Sequence, residues 1–277
     1  MDLEKICNET IKAVKKAGDY IMQQHQNNNN KKIEQKGEHD FVTVVDKTAE
    51  EILVTELAKI LPEAGIIAEE GTTNKKETTN NKETTNNKET TFNWVIDPID
   101  GTTNFIHGAF PFAVSVALVE NSTPITGVIL ELGFNECFYG WHEGGAYMNG
   151  EPIRVSKTEN LNSSLIATGF PYTNFSQLEG FMVTMDWFMK NSRGLRRLGS
   201  AATDIAWVAC GRYDGFYEYG LKAWDVAAGI IILQEAGGKC ADFSGEDNYL
   251  FGGELVCTNG LNHDEFIGII KKIMKPI

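Results

Sequence analysis

Trp94-Val95-Ile96-Asp97-Pro98-Ile99-Asp100-Gly101-Thr102-Thr103-Asn104-Phe105 is the stretch on which the reading of this chain turns. Its three leading apolar residues predict the end of a buried strand, and Pro98 and Gly101 then turn the backbone sharply. Two carboxylates, Asp97 and Asp100, are left at the strand tip. A glycine and two hydroxyl residues follow, whose backbone N–H groups can face an anion. Carboxylates beside an anion-binding turn repel its ligand unless cations lie between them, so the pattern predicts a metal-dependent phosphate site. The competing reading is an Asp-Pro-x-Asp-Gly surface turn, in which Asp and Gly serve conformation alone.

Upstream, Leu3, Cys7, Val14, Ala17 and Ile21 recur at helical spacing and predict an amphipathic first helix, ended by a polar Asn27–Lys32 loop. Phe41 to Val45 is β-branched and predicts a strand, followed by Asp46 and a helix over Lys47 to Leu61. Gly65 to Ala68 predicts another strand, ending in Glu69-Glu70. Between that pair and Trp94 lies a hexad repeat, Lys-Glu-Thr-Thr-Asn-Asn, over residues 76–91. It has no apolar position with which to bury a face, so it is expected to be an insertion at about 72–92 inside one domain spanning 1–277.

Downstream, strands are predicted over Phe112–Val119, Ile125–Leu132 and Glu136–Gly140, then a hairpin turning at Asn149-Gly150. A strand at Leu165–Thr168, a helix at Gln177–Lys190, a helix at Ala201–Cys210 and a strand at Phe216–Tyr219 follow. Trp224–Ala236 is a helix stopped by Gly237-Gly238, Leu255–Thr258 is a strand, and Asn262-x-x-Glu265 is the signature of a capping box opening a last helix. Runs of strands alternating with runs of helices predict an α+β fold, with layers of helices against mixed or antiparallel sheets.

Composition excludes several classes. A formal charge of −13 argues against nucleic acid and anionic membranes as partners. No apolar run approaches the ~20 residues of a membrane span, and the N-terminus lacks a signal-peptide pattern, so the cytoplasm is the expected compartment. The cysteines, Cys7, Cys137, Cys210, Cys240 and Cys257, are odd in number and without a Cys-x-x-Cys, which predicts reduced, mostly buried thiols. The five histidines show no ligand spacing. Gly-x-Ser-x-Gly, Walker-type and Gly-x-Gly-x-x-Gly motifs are missing.

Acids recur at the edges of five predicted segments: Asp46, Glu69-Glu70, Asp97/Asp100, Glu218 and Asp225. Each has an ordinary explanation: Asp46 could cap its helix, Asp225 could complement a helix dipole, and Glu69-Glu70 could be a solvated strand end. Glu218 lies among aromatics, where a carboxylate is costly unless paired. Their coincidence with the central turn favours a common purpose. Mg²⁺ takes hard oxygen ligands and bonds one or two carboxylates plus a substrate phosphate. Two such ions can clamp the attacking and leaving oxygens of a phosphoester.

With these residues the chain resembles the inositol monophosphatase family. Trp94–Phe105 is similar to its first signature, and Trp224-Asp225-Val226-Ala227-Ala228-Gly229 through Glu235-Ala236-Gly237-Gly238 to its second. Val42–Asp46 and Ala68-Glu69-Glu70 fall in the matching order. The resemblance implies layered αβαβα architecture, commonly as a homodimer, and lithium-sensitive hydrolysis of a phosphate monoester using two or three Mg²⁺. The metal set it implies is Glu69, Asp97, the Ile99 carbonyl, Asp100 and Asp225. Asp46 would partner the Thr102 hydroxyl, which with Glu69 or Glu70 would orient the attacking water. The substrate-facing set would be Ile99, Asp100, Gly101, Thr102, Gly199, Ser200, Ala201, Glu218 and Asp225, with Lys36 near the metals. The substrate implied is a small-molecule phosphate ester, first myo-inositol monophosphate. Related enzymes act on fructose bisphosphate, 3′-phosphoadenosine phosphates and other sugar phosphates, and a non-catalytic regulatory protein on the same fold is the remote alternative. Arg193, Arg196 and Arg197, the one dense basic group, are expected to be a salt-paired surface cluster.

Overall fold

The computed structural model describes residues 1–27, 33–37, 40–72 and 91–274, with segments 33–37 and 40–42 described through their backbone. Nearly all of the hexad repeat, and residues 28–32 of the Asn-rich tract, lie outside the described residues. In chain order the elements are α1 (Leu3–Gln26), β1 (Ile33–Gly37), β2 (Asp40–Thr43), α2 (Val44–Ile60), β3 (Gly65–Ala68), β4 (Phe92–Asp100), α3 (Thr102–His107), β5 (Ala113–Glu120), β6 (Thr123–Glu131), β7 (Glu136–Trp141), β8 (Gly145–Met148) and β9 (Glu151–Pro152). Then come β10 (Leu165–Thr168), α4 (Leu178–Asn191), β11 (Gly194–Arg196), α5 (Ala201–Ala209), β12 (Gly215–Tyr219), α6 (Ala223–Glu235), β13 (Lys239–Ala241), β14 (Glu254–Thr258) and α7 (His263–Ile273).

The large sheet has seven strands in the order β3-β4-β5-β6-β7-β8-β9, with β3–β4 parallel and the others antiparallel. The smaller, five-stranded sheet is mixed, in the order β11-β10-β12-β14-β13. Side-chain alternation divides β4 between two cores. Trp94 and Ile96 pack with α1 and α2, whereas Val95 packs with α5 and α6. On β12, Phe216 faces α5 and α6, and Tyr217 and Tyr219 face α4 and α7. The layers are therefore α1/α2, large sheet, α5/α6, small sheet and α4/α7, the layered α+β architecture expected from the element order. Both faces of each sheet are covered, which explains why β4 and β5 read as nearly continuous apolar runs rather than alternating ones.

Four expectations change. Val44 and Val45 belong to α2, because the Thr43 hydroxyl accepts the Val45 N–H at 3.1 Å and caps that helix. Asn262 makes no side-chain cap to α7; its amide donates instead to the Ser164 hydroxyl at 3.0 Å. The short strands β11 and β13 lie at the edges of the small sheet, where three residues are too few for a periodic signal. Among the described residues the Arg cluster makes no ion pair: Arg196 donates to the Leu195 carbonyl at 2.9 Å, and the Arg197 guanidinium lies 4.8 Å from the Phe170 ring centroid and 5.3 Å from that of Tyr172. The described cysteines are all free thiols, three of them buried, as expected. No helix among the described residues is long and apolar enough to cross a membrane.

Candidate metal and phosphate site

Asp97 and Asp100 are three residues apart, which on a regular strand would put them on opposite faces. They are not. Asp97 pairs with Ser115 and Asp100 with Ala113, so β4 carries one more residue than β5 across this step. The extra residue is a bulge at Pro98-Ile99, where proline has no N–H to lose from the ladder. The Asp97 carboxylate accepts the Ile99 N–H at 3.0 Å and closes the bulge. Both carboxylates thereby share the face of the sheet that meets α6, where Ser115 donates to the Trp224 carbonyl at 3.2 Å. Gly101 then takes φ 94° and opens α3. A Cβ there would lie 3.0 Å from the Gly199 carbonyl in a backbone conformation that suits glycine.

Three acids are each anchored at the start of a different helix. Asp46 accepts the Thr43 N–H at 2.9 Å through Oδ2, so it does take part in capping α2, while its Oδ1 accepts the Thr102 hydroxyl at 3.3 Å. Asp100 Oδ2 accepts the Ser200 hydroxyl at 2.5 Å and the Ala202 N–H at 2.8 Å, at the N-terminus of α5. Asp225 Oδ2 accepts the Lys222 N–H at 2.6 Å, at the start of α6. A helix N-terminus is favourable ground for negative charge, and one fixed oxygen leaves the other aimed.

The outcome is a concentration of acid. Asp97, Asp100 and Asp225 each bring a carboxylate oxygen to within 4.8 Å of the others. Glu69 leaves the end of β3, its N–H donating to the Ile96 carbonyl at 3.2 Å, and its carboxyl is close enough to Asp97 to bear on it. Burial, followed by Glu69, Asp100 and Asp225, holds the Asp97 carboxyl well above the usual range. Burial pushes Asp100 up to about 6 against the lowering effect of Ser200 and Ala202. Crowding by protein atoms, followed by Asp100, pushes the partly accessible Asp225 up to about 7. Buried carboxyls raised in this way are what a cation-binding site presents without its cation, and the all-oxygen donor set fits Mg²⁺. The Ile99 carbonyl lies in the same bulge and accepts the Thr102 hydroxyl at 3.0 Å.

On the far side stands Glu218 of β12. A Cβ on Gly169 would lie 2.0 Å from its carboxyl carbon, so the chain can approach there only as glycine. Burial, then Asp225 and Asp100, raise Glu218 well above its ordinary value, while Arg197 works in the opposite direction. Ser200 is buried and its hydroxyl is engaged by Asp100 and Thr203, and Ala201 stands beside it at the first turn of α5. Glu70 is placed by its N–H, which donates to Glu50 at 2.7 Å. The side chain of Lys36 lies outside the described residues.

Three neighbours were missed in the sequence: Glu50, Asp204 and Gly169. Asp204 is buried on α5, its Oδ1 has no hydrogen-bond partner among the described residues, and burial and then Glu218 raise it well above the usual carboxylate range. Glu50 was legible in principle, since it follows Asp46 by one helical turn and precedes Leu53 and Leu57 on the buried face of α2. Nothing local marks Gly169, which is set by a strand paired across the sheet.

The profile of the inositol monophosphatase family matches residues 2–275. The chain is 37% identical over 257 residues to the Nus factor SuhB of Escherichia coli K12, covering 93% of this chain and 92% of that protein. It is 37% identical over 269 residues to the fructose-1,6-bisphosphatase/inositol-1-monophosphatase of Thermotoga maritima, covering 97% and 96%. The solved inositol monophosphatase of Anabaena (Nostoc) sp. PCC 7120 superposes with a TM-score of 0.85 at 32% identity, covering 100% of this chain and 99% of that one. The chain belongs to the inositol monophosphatase family.

Proposed function

We propose that this chain is a Mg²⁺-dependent phosphatase that hydrolyses a phosphate monoester of a polyol, first of all myo-inositol monophosphate, to the alcohol and orthophosphate. The observation that carries the reading is the convergence of Asp97, Asp100 and Asp225 within 4.8 Å, with Glu69 bearing on Asp97. When bound, divalent ions at Glu69, Asp97, the Ile99 carbonyl, Asp100 and Asp225 supply charge neutralisation and an acidified water. The protein's part is positioning. Thr102, held between Asp46 and the Ile99 carbonyl, orients the attacking water together with Glu69 or Glu70. The N–H groups of Gly101 and Thr102 face the phosphate. Glu218 and the Gly199-Ser200-Ala201 turn face the alcohol. As the water oxygen bonds to phosphorus it gives up a proton, the ester P–O bond breaks, and the departing alkoxide takes up a proton in its place, so that one water is consumed for each ester cleaved.

Arg197 favours a second substrate. Its Nη1 lies 2.7 Å from where a Gly199 Cβ would be, and it bears on Glu218, so a cation borders the proposed alcohol pocket. A second phosphate, as in fructose 1,6-bisphosphate, suits that position, and the name of the Thermotoga relative is consistent with it. The Nus factor name of the Escherichia coli relative supports a regulatory role as a further alternative, but the retained acids favour catalysis. A homodimer is supported by the exposed Leu178, Met182, Val183 and Met189 on α4, beside Phe170, Tyr172 and Phe175. A monomer mass by light scattering at micromolar concentration would remove that element. The whole chain is read as one domain acting in the cytoplasm.

The test is a phosphate-release panel over inositol monophosphates, fructose 1,6-bisphosphate and 3′-phosphoadenosine phosphates, in Mg²⁺ and in excess EDTA, with lithium added to the active arms. Turnover that needs Mg²⁺ and is greatest on an inositol monophosphate is expected. Full turnover in EDTA would overturn the metal reading, and none on any ester would overturn the enzyme.

A further inference from the structure

Glu50 is a fully buried acid that the proposed chemistry does not use. It lies one turn after Asp46 on α2 and has no exposed surface. Its Oε2 accepts the Glu70 N–H and its Oε1 the Thr72 N–H, each at 2.7 Å. The segment it holds also closes on itself, the Gly71 N–H donating to the Ala68 carbonyl at 3.3 Å with Gly71 at φ 77°. Glu69 stands within this turn, tied on one side to the Ile96 carbonyl of β4 and reaching Asp97 with its side chain.

The linkage is economical. A carboxylate removed from water is tolerable only when its oxygens are met by donors, and both oxygens of Glu50 are met by backbone N–H groups in the turn that follows Glu69. Beyond Thr72 the chain enters the segment that carries the hexad repeat, so the Glu50 bonds are the last described tie before it. α2 thus presents two buried acids on one face. Asp46 holds Thr102 on the β4 side of the site, and Glu50 holds the turn after β3.

We propose that Glu50 is a positioning residue for Glu69, fixing the β3 turn so that the Glu69 carboxylate reaches the cation shared with Asp97. The inference rests on the metal-dependent reading above. It uses Glu50 as a clamp on the backbone, without contact to substrate or metal. Groups that orient metal ligands change metal affinity by ~10- to 100-fold when removed. A clamp that served stability alone would lower the melting temperature and leave that affinity where it was.

The experiment uses the full chain with Mn²⁺ as calorimetric probe, and Mg²⁺-dependent phosphate release from myo-inositol 1-phosphate as a second readout. Glu50→Ala is expected to weaken Mn²⁺ binding by about 10- to 100-fold and to raise the Mg²⁺ concentration for half-maximal activity by a similar factor. Glu50→Gln keeps the shape but turns an NH₂ toward one of the two N–H donors, and is expected to weaken Mn²⁺ binding about tenfold. It carries the test if the alanine variant fails to fold. Asp242→Asn is the control: that acid also accepts two loop N–H groups, from Ser244 at 2.8 Å and Glu246 at 2.9 Å, outside the site. It should lower the melting temperature and leave Mn²⁺ affinity unchanged. Wild-type Mn²⁺ affinity in the folded Glu50 variants, with binding lost in Asp97→Asn, would overturn the role of Glu50 and leave the metal reading standing. A wild-type chain that binds no Mn²⁺ would overturn both.

Discussion

Asp97 has the environment of a shared ligand: buried, and raised by burial and by the neighbouring acids Glu69, Asp100 and Asp225. Asp97→Asn removes one negative charge and almost no volume, so the fold should persist while turnover falls by about a hundredfold or more, the scale of losing one preorganised electrostatic group. Circular dichroism and steady-state rates at saturating Mg²⁺ check this, and a wild-type rate would remove Asp97 from the shared position. At the same scale Gly169 illustrates a residue defined by its neighbour. Its missing side chain makes room for the Glu218 carboxyl, a requirement that arises only once β10 and β12 lie side by side.

At the scale of elements, the site is an assembly of helix starts around one bulged strand. Thr43 shows how closely capping and chemistry are joined. Its hydroxyl accepts the Val45 N–H at 3.1 Å and its N–H holds Asp46 Oδ2, whose partner oxygen receives Thr102. Thr43→Ala should cost about 1 kcal/mol of stability by loss of the α2 cap. It should also lower kcat by more than that stability loss explains, because Asp46 is left less constrained. Thermal melts read the first effect and rates at a temperature well below the melt read the second; an unchanged kcat would separate the cap from the chemistry.

For the whole molecule, the collected acids make metal-free stability depend on pH in an unusual direction. Asp100 at about 6 and Asp225 at about 7 lie above the ordinary carboxylate value of 3.8, and Asp97 is raised as well. The metal-free fold therefore binds more protons than the unfolded chain across this interval. The stabilisation from these groups is complete below the ordinary carboxylate value and is lost as pH rises through 6 and 7. In EDTA the melting temperature should thus fall from pH 5 to pH 7.5, whereas added Mg²⁺ should raise it most at the upper end, where binding displaces the fewest protons. A flat profile in EDTA would mean that these carboxyls are ionised in the fold without a cation.

Much of this molecule was written locally. The apolar stripe of α1, the β-branched strands and the Gly237-Gly238 stop after α6 are short-range signals, and they suffice for the layered α+β architecture. The acids of the two signatures were legible for the same reason, each lying at the end of an apolar element where the chain must turn. Val44 and Val45 show the limit: their β-branching favours a strand, and the Thr43 cap overrules it. Tertiary structure alone decided the rest. Which face Asp97 and Asp100 share depends on one extra residue in the β4–β5 register, and pairing between strands leaves no mark on either strand read singly. The clamp of Glu50 on the Glu69 turn and the approach of Arg197 to Glu218 both join residues distant in sequence. Such contacts exist because packed layers bring elements together, which local propensity does not encode.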